Sequence, residues 1–463
     1  MFAKTRTKIK TKRHDSGFTL IEGLTLVFIL ALITVTFYNV ITIGTRAIVS
    51  SKNRLGAVAL ANEKMEIARN LAYDDVGTVL GICAGKLLQD ENVTENGKTY
   101  KVHTYVTYVD DPFDGTLGGS PNDVAYNDYK RLEITVSWDN GGADHGEVKT
   151  VSRFVPPGLE VATPGDGILA INVFSDQAGG APVSGADVHV VNPDVSVNET
   201  FQTDATGSVM LLGAKESLQK YQITVSKSGY ETVDTFAPYP TTAYNPVDTY
   251  ASVIGGAFNV TNIIENKVAD IKISTIDYAG NPVGDVGVAI EGGRKLGAKA
   301  LSPFDPVYKL VFDGNTNSSG EKTFNLASPG QYTFGLSSSE TTYELIGSNP
   351  ISPFPVASES SADIKLKVAS KSMTGISIKI VNDTNSSLLV GATVELKSIA
   401  LEYDETIMTG EDGMAFFPNS NATVFQAGTY DLLVDAAGFQ SDNESVTIDA
   451  GGLTHKDVLM IEN

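Results

Sequence analysis

Glu22 is the residue whose setting most demands chemistry. It stands at the head of an apolar run, Gly23 to Thr45, of 23 residues without a formal charge and rich in Leu, Ile, Val and Phe. A carboxylate in hydrocarbon costs several kcal/mol unless it finds a partner, so such a residue marks a site by default. A second group of carboxylates, Asp110-Asp111-Pro112-Phe113-Asp114-Gly115 with Asp123 and Asp128, is of the type that holds calcium through oxygen. The twelve-residue helical loop pattern fails there. Counting from Asp110, Pro112 takes the place of the second ligand and Pro121 that of the closing Glu, which leaves a polar turn.

Other chemistry is thinly represented. Cys83 is the single cysteine, so no intrachain disulfide can form. Flanked by Ile82 and Ala84, it reads as a small buried hydrophobe. Five scattered His and no second Cys argue against zinc. There is no nucleophile elbow, phosphate loop, zinc-binding pair or dinucleotide fingerprint. The expectation is a protein that is not an enzyme and needs no cofactor.

At about 1.5 Å per residue, the apolar run is long enough as a helix to cross roughly 30 Å of hydrocarbon. Its Thr residues are compatible with lipid because each can return its hydroxyl to a carbonyl one turn back. Lys4, Arg6, Lys8, Lys10, Lys12 and Arg13 precede it, against Asp15 alone. Cationic flanks stay in the cytoplasm, which orients everything after Thr45 outward. Ile41-Thr42-Ile43-Gly44-Thr45-Arg46 offers no small-x-small cleavage site, and the run is long for a secretory signal.

Gly17-Phe18-Thr19-Leu20-Ile21-Glu22 resembles the class III signal of type IV pilins and pseudopilins. The resemblance implies cleavage by a prepilin peptidase between Gly17 and Phe18, N-methylation of Phe18, and a filament-assembly role for Glu22. In that family the Glu pairs with the N-terminal amine of a neighbouring subunit, which satisfies a charge in apolar surroundings and sets stagger. Many members also close a C-terminal loop with a disulfide, which the lone Cys83 cannot supply.

The chain has 463 residues, enough for three or four domains and far more than an ordinary pilin. The leader carries +5, so a product lacking it carries −26 where the whole chain carries −21. Such acidity argues against nucleic-acid contact.

Taken in order, residues 1–17 are the basic leader and 18–45 the transmembrane helix. Residues 46–158 are an amphipathic helix, with Ala57, Leu60, Ala61, Ile67, Ala68 and Leu71 on its apolar side, and a small α+β head. Gly44 and Gly56 are weak points in that helix. Tyr100–Val109, Leu132–Trp138 and Val148–Phe154 read as strands, with turns at Asn96-Gly97 and Asp139-Asn140-Gly141-Gly142. Pro156-Pro157-Gly158 and Pro164-Gly165 then mark a linker.

Beyond it the chain repeats. Gly185 to Gly207 spans 22 residues, as does Gly391 to Gly413, and Tyr221 to Tyr230 spans nine, as does Tyr430 to Phe439. A looser copy runs through Asn281-Pro282-Val283-Gly284, Ser319-Gly320 and Gly330-Gln331-Tyr332, lengthened by an insertion near Gly292 to Pro306. Short alternating strands between Gly, Asp and Pro turns indicate antiparallel β-sandwiches at 166–260, 266–368 and 373–462. Pro238-Tyr239-Pro240 and Pro350 to Pro355 read as joints between them.

The order of signals resembles the carboxypeptidase regulatory-like and collagen-adhesin B-type family, which implies prealbumin-like (Ig-like) sandwiches. Some members carry an internal Lys–Asn isopeptide bond. Here Ile168–Val173 has no Lys, while Lys272 and Lys379 alternate with inward Ile residues and should face solvent. No isopeptide is expected.

The combined expectation is a minor type IV pilin or pseudopilin, processed after Gly17 and assembled at low copy or at the tip of a surface filament, its sandwiches serving adhesion or partner binding. Its partners would be a prepilin peptidase, other pilin subunits and the assembly machinery. It would begin as a single-pass cytoplasmic membrane protein with its N-terminus inside. The alternative is an unprocessed, membrane-anchored surface protein that uses the sandwiches as spacers.

Overall fold

The computed structural model describes residues 19–113, 115–117, 119–123, 125–139, 145–157, 166–175, 180–420 and 425–463. Gly17, Phe18 and Asp114 lie outside them. The chain forms two compact units. One takes in the helix and the strands up to 159, apart from Leu80–Ile82 and Asp110–Asn127; those segments and everything from Glu160 onward make up the other.

In the first unit a single helix, α1, runs unbroken from Leu20 to Arg69. Its first half is exposed on all sides, and an 18-residue window there has mean hydropathy 2.4. By length and composition it can cross a membrane. The second half buries Asn53, Ala57, Leu60, Ala61, Met65 and Ala68, a stripe at helical spacing. Ile67 was expected on that stripe but points outward, 45% exposed, because Met65 and Ala68 occupy the inward face on either side of it.

That stripe covers a four-stranded antiparallel sheet of β1 (Asp90–Glu95), β2 (Lys98–Val109), β3 (Tyr129–Asp139) and β4 (His145–Phe154), in that order. Period-2 alternation puts Tyr100, Val102 and Val106 of β2 and Leu132, Ile134, Val136 and Trp138 of β3 in one core with the helix. Gly56 is no weak point. A Cβ there would fall 2.4 Å from the Tyr100 hydroxyl, which donates to the Asn53 carbonyl at 3.1 Å. Cys83 is buried in the same core. The turn at 139–142 lies mostly outside the described residues, yet Asp139 opposite His145 shows that β3 and β4 pair across it.

The second unit holds three pairs of facing sheets, and one arrangement recurs in each. An opening strand pairs in parallel with the closing strand: Asp166–Phe174 with Phe258–Ile264, Ala269–Ile276 with Ser361–Ser370, and Gly375–Asn382 with Leu453–Met460. The opening strand's other edge pairs antiparallel with Ser208–Lys215, Glu321–Ala327 or Met414–Phe417. The facing sheets are built on Asp187–Asn192, Gly287–Lys299 and Thr393–Ser398. In the third pair, Ile376, Ile378 and Ile380 meet Val394, Leu396, Leu432 and Val434 across a shared core.

The equivalent turns Gly207, Gly320 and Gly413 have φ of +73°, +74° and +66°. Added Cβ atoms at the first two would come within 2.6 Å of backbone oxygens, so only glycine fits. A tyrosine recurs as well. Tyr221, Tyr332 and Tyr430 are buried, and their hydroxyls donate to the carbonyls of Lys215, Ser328 and Gln426. Burial pushes all three phenols up, which keeps them protonated donors.

Neither proline-rich segment separates sandwiches. Tyr244–Pro246, just after Pro238-Tyr239-Pro240, pairs with Gly297–Lys299 of the second sandwich. Phe354–Val356 lies inside that sandwich, paired with Gly330–Tyr332. Lys272 is paired with Glu321 and Lys379 is exposed.

Candidate functional site

Glu22 lies in the first turn of α1, and Thr19 caps that turn. The Thr19 Oγ1 accepts from the Glu22 N–H at 3.3 Å, while Glu22 Oε2 accepts from the Thr19 N–H at 2.9 Å and from its hydroxyl at 2.8 Å. This reciprocal box satisfies donors that a helix start leaves open. The remaining oxygen, Oε1, has no hydrogen bond among the described residues. Further along, Thr25, Thr34, Thr36, Thr42 and Thr45 each donate to the carbonyl four residues back. The apolar segment therefore satisfies these threonine hydroxyls internally, and Glu22 is the sole charge from there to Thr45.

The helix offers Glu22 no cation. The next basic residue is Arg46, about 36 Å further along the axis at the helical rise. A compensating charge must come from an amine upstream of Thr19 or from another chain.

The carboxylates between 110 and 128 do local work instead. Asp110 accepts from the Leu117 N–H, Asp111 from Phe113 and Asp123 from Ala125. Among the described residues no group of three potential ligands is placed to hold a metal ion.

Sequence reasoning missed a second site, where the first two sandwiches join. The Arg294 guanidinium contacts Glu231 at 3.2 Å, Asp248 at 2.8 Å and the Ile264 carbonyl at 2.8 Å. Glu231 is only 2% exposed and also accepts from the Ser328 hydroxyl. Arg294 lies in the insertion noted near Gly292 to Pro306, so the extra length of the second copy builds this joint. The one available signal was that insertion. The second and third sandwiches meet more lightly: Asp412 accepts from the Ser348 N–H at 2.5 Å, and Ile346, Ala369 and Phe416 form a small apolar cluster. A cleft of about 580 Å³ opens beside them, lined by Tyr278, Lys365, Lys367 and Met408 among others.

No protein-family model matches the chain, and no curated protein matches it. Among solved structures, the Bacillus anthracis TIE protein aligns with 72% of this chain and 59% of its own length, at 16% identity and a TM-score of 0.19. The streptococcal ancillary pilin aligns with 64% of this chain and 99% of its own, at 12% identity and TM-score 0.20. The minor pilin of Streptococcus agalactiae aligns with 42% of this chain and 96% of its own, at 15% identity and TM-score 0.18. Superpositions this loose carry no argument about role.

Proposed function

We propose that the chain is a minor subunit of a type IV pilus or pseudopilus. A prepilin peptidase cuts it after Gly17, Phe18 becomes its N-methylated first residue, and Glu22 pairs with the Phe18 amine of a neighbouring subunit. The sandwiches then project from the filament as modules for adhesion or partner binding. The observation that carries this reading is the isolation of Glu22: one carboxylate at the head of the apolar segment, with an oxygen to spare among the described residues and no cation on the helix until Arg46. Such a charge is stable in lipid only when a partner is supplied from elsewhere, and a filament of like subunits supplies one at every contact.

Intact-mass measurement of the cell-associated protein tests it. The expected chain starts at Phe18, carries one added methyl group and lacks all six leader cations. A mature protein still beginning at Met1, in a cell with active prepilin peptidase, overturns it in favour of an anchored surface protein.

A further inference from the structure

The stretch joining the first two sandwiches is short, from the end of one strand at Ile264 to the start of the next at Ala269. Its first residue, Glu265, is fully buried, and its N–H donates to the Phe174 carbonyl at 2.8 Å. Neither of its carboxylate oxygens has a hydrogen-bond partner among the described residues. A buried polar group in that state is rare, and a buried unpaired charge is rarer still.

Four charged groups face it: Lys227 and Asp187 from the first sandwich, Glu231 from the turn beyond Gly229, and Arg294 from the second sandwich. Both cations are engaged elsewhere. Arg294 is spent on Glu231, Asp248 and the Ile264 carbonyl. The Lys227 amine donates to the Ser184 carbonyl at 2.6 Å and lies over the Tyr230 ring. Two further basic groups of the joint are held as well: Lys309 donates to the Thr232 carbonyl, and Lys267, within the connecting stretch, donates to the Glu359 carboxylate at 2.7 Å. Among the described residues no cation is left to bond the carboxylate.

We propose that the joint between the first two sandwiches is a proton-operated lock, closed while Glu265 carries a proton and loosened when the proton leaves. An ionised Glu265 reaches water only if the elements covering it part. Those elements are held by the Glu231 N–H to the Asn266 carbonyl, by Arg294, and by the pairing of Tyr244–Pro246 with Gly297–Lys299.

Burial, the largest influence, pushes the Glu265 carboxyl up to about 7 from its ordinary 4.5, with Lys227 acting against the shift. The closed joint therefore binds a proton more tightly than the open one. Acidification favours closure, and closure weakens as pH rises from about 4.5 through about 7. Between roughly pH 6 and pH 8 this linkage raises the opening equilibrium about tenfold.

Hydrogen exchange on the full chain in detergent micelles, corrected for the intrinsic pH dependence of exchange, reads this directly. The Glu231 and Val247 amides, both bonded within the joint, should lose about tenfold protection over that range. The Ser348 amide, at the next joint, should not change. Glu265→Gln should keep its acid-side protection at both pH values. Flat protection in the native chain, or an equal loss in E265Q, overturns the proposal. Infrared difference spectroscopy needs no variant: a protonated-carboxyl stretch that titrates with a midpoint near 7 supports the lock, and its absence at the acid end refutes it.

Discussion

Arg294 of the second sandwich reaches Glu231 of the first at 3.2 Å, with Glu231 nearly sealed from solvent and Asp248 on the guanidinium's other edge. One side chain thus pairs with two carboxylates and donates to the Ile264 carbonyl as well. Removing it strands a buried charge. Arg294→Met should cost roughly 3–5 kcal/mol, mostly as the penalty on Glu231. Denaturant unfolding of the detergent-solubilised chain should show the loss in the first two sandwiches and not in the third. A shift below about 1 kcal/mol would mean the trio contributes no more than a surface pair.

The recurring buried tyrosine makes a narrower prediction. Tyr430→Phe removes the hydroxyl that donates to the Gln426 carbonyl at 2.7 Å and changes nothing else in volume. A single hydrogen bond of this kind contributes about 1 kcal/mol. The third sandwich should lose about that much in equilibrium unfolding. Unchanged stability would show that the hydroxyl is a passenger on an aromatic core residue.

Glu22→Val tests pairing at the helix start. Without the carboxylate the helix enters lipid at least as readily. If pairing directs assembly, the variant should accumulate in the membrane and vanish from sheared filaments. Equal yields of variant and native protein in filaments would exclude a role for this side chain in assembly.

If the chain is the filament subunit proposed above, its size requires sparse placement. Some 300 residues follow Pro157, about twice the 140 of segment 18–157. A subunit so decorated would crowd its neighbours at every position of a helical filament. Deleting residues 160–463 should leave filament entry intact and abolish surface attachment. Immunogold labelling that marks the protein evenly along every filament would contradict this placement.

What could be read from the residues alone depended on how locally each was determined. Gly207 and Gly413 announced themselves because the backbone there takes the left-handed conformation that favours glycine, and equal spacing followed from equal turns. Glu22 was visible because a charge in an apolar run has no local explanation. Strand β1 was missed: Asp90-Glu91-Asn92 has poor strand propensity, and only its pairing with β2 makes it extended. Arg294 was invisible for a different reason. A charged residue in a strand ordinarily faces water, and what buries it here is the preceding module, whose Glu231 lies 63 residues upstream in the chain. Pro238-Tyr239-Pro240 correctly marked a break in the strand pattern, but a break does not say which sheet the chain joins next.

The excursion of Tyr244–Pro246 onto Gly297–Lys299 bears on how such a chain can be rearranged by recombination. Modules in tandem are commonly gained, lost or traded by cutting between them. A cut at 265–268 would leave the second module with the Gly297–Lys299 edge bare, its amides and carbonyls open to pairing with a foreign strand. A cut at 371–374 exposes no such edge, since the next strands, Gly375–Asn382 and Thr393–Ser398, find their partners within the third module. The first two modules should therefore be inherited as one indivisible pair, and the third should be the segment that varies in number or is exchanged.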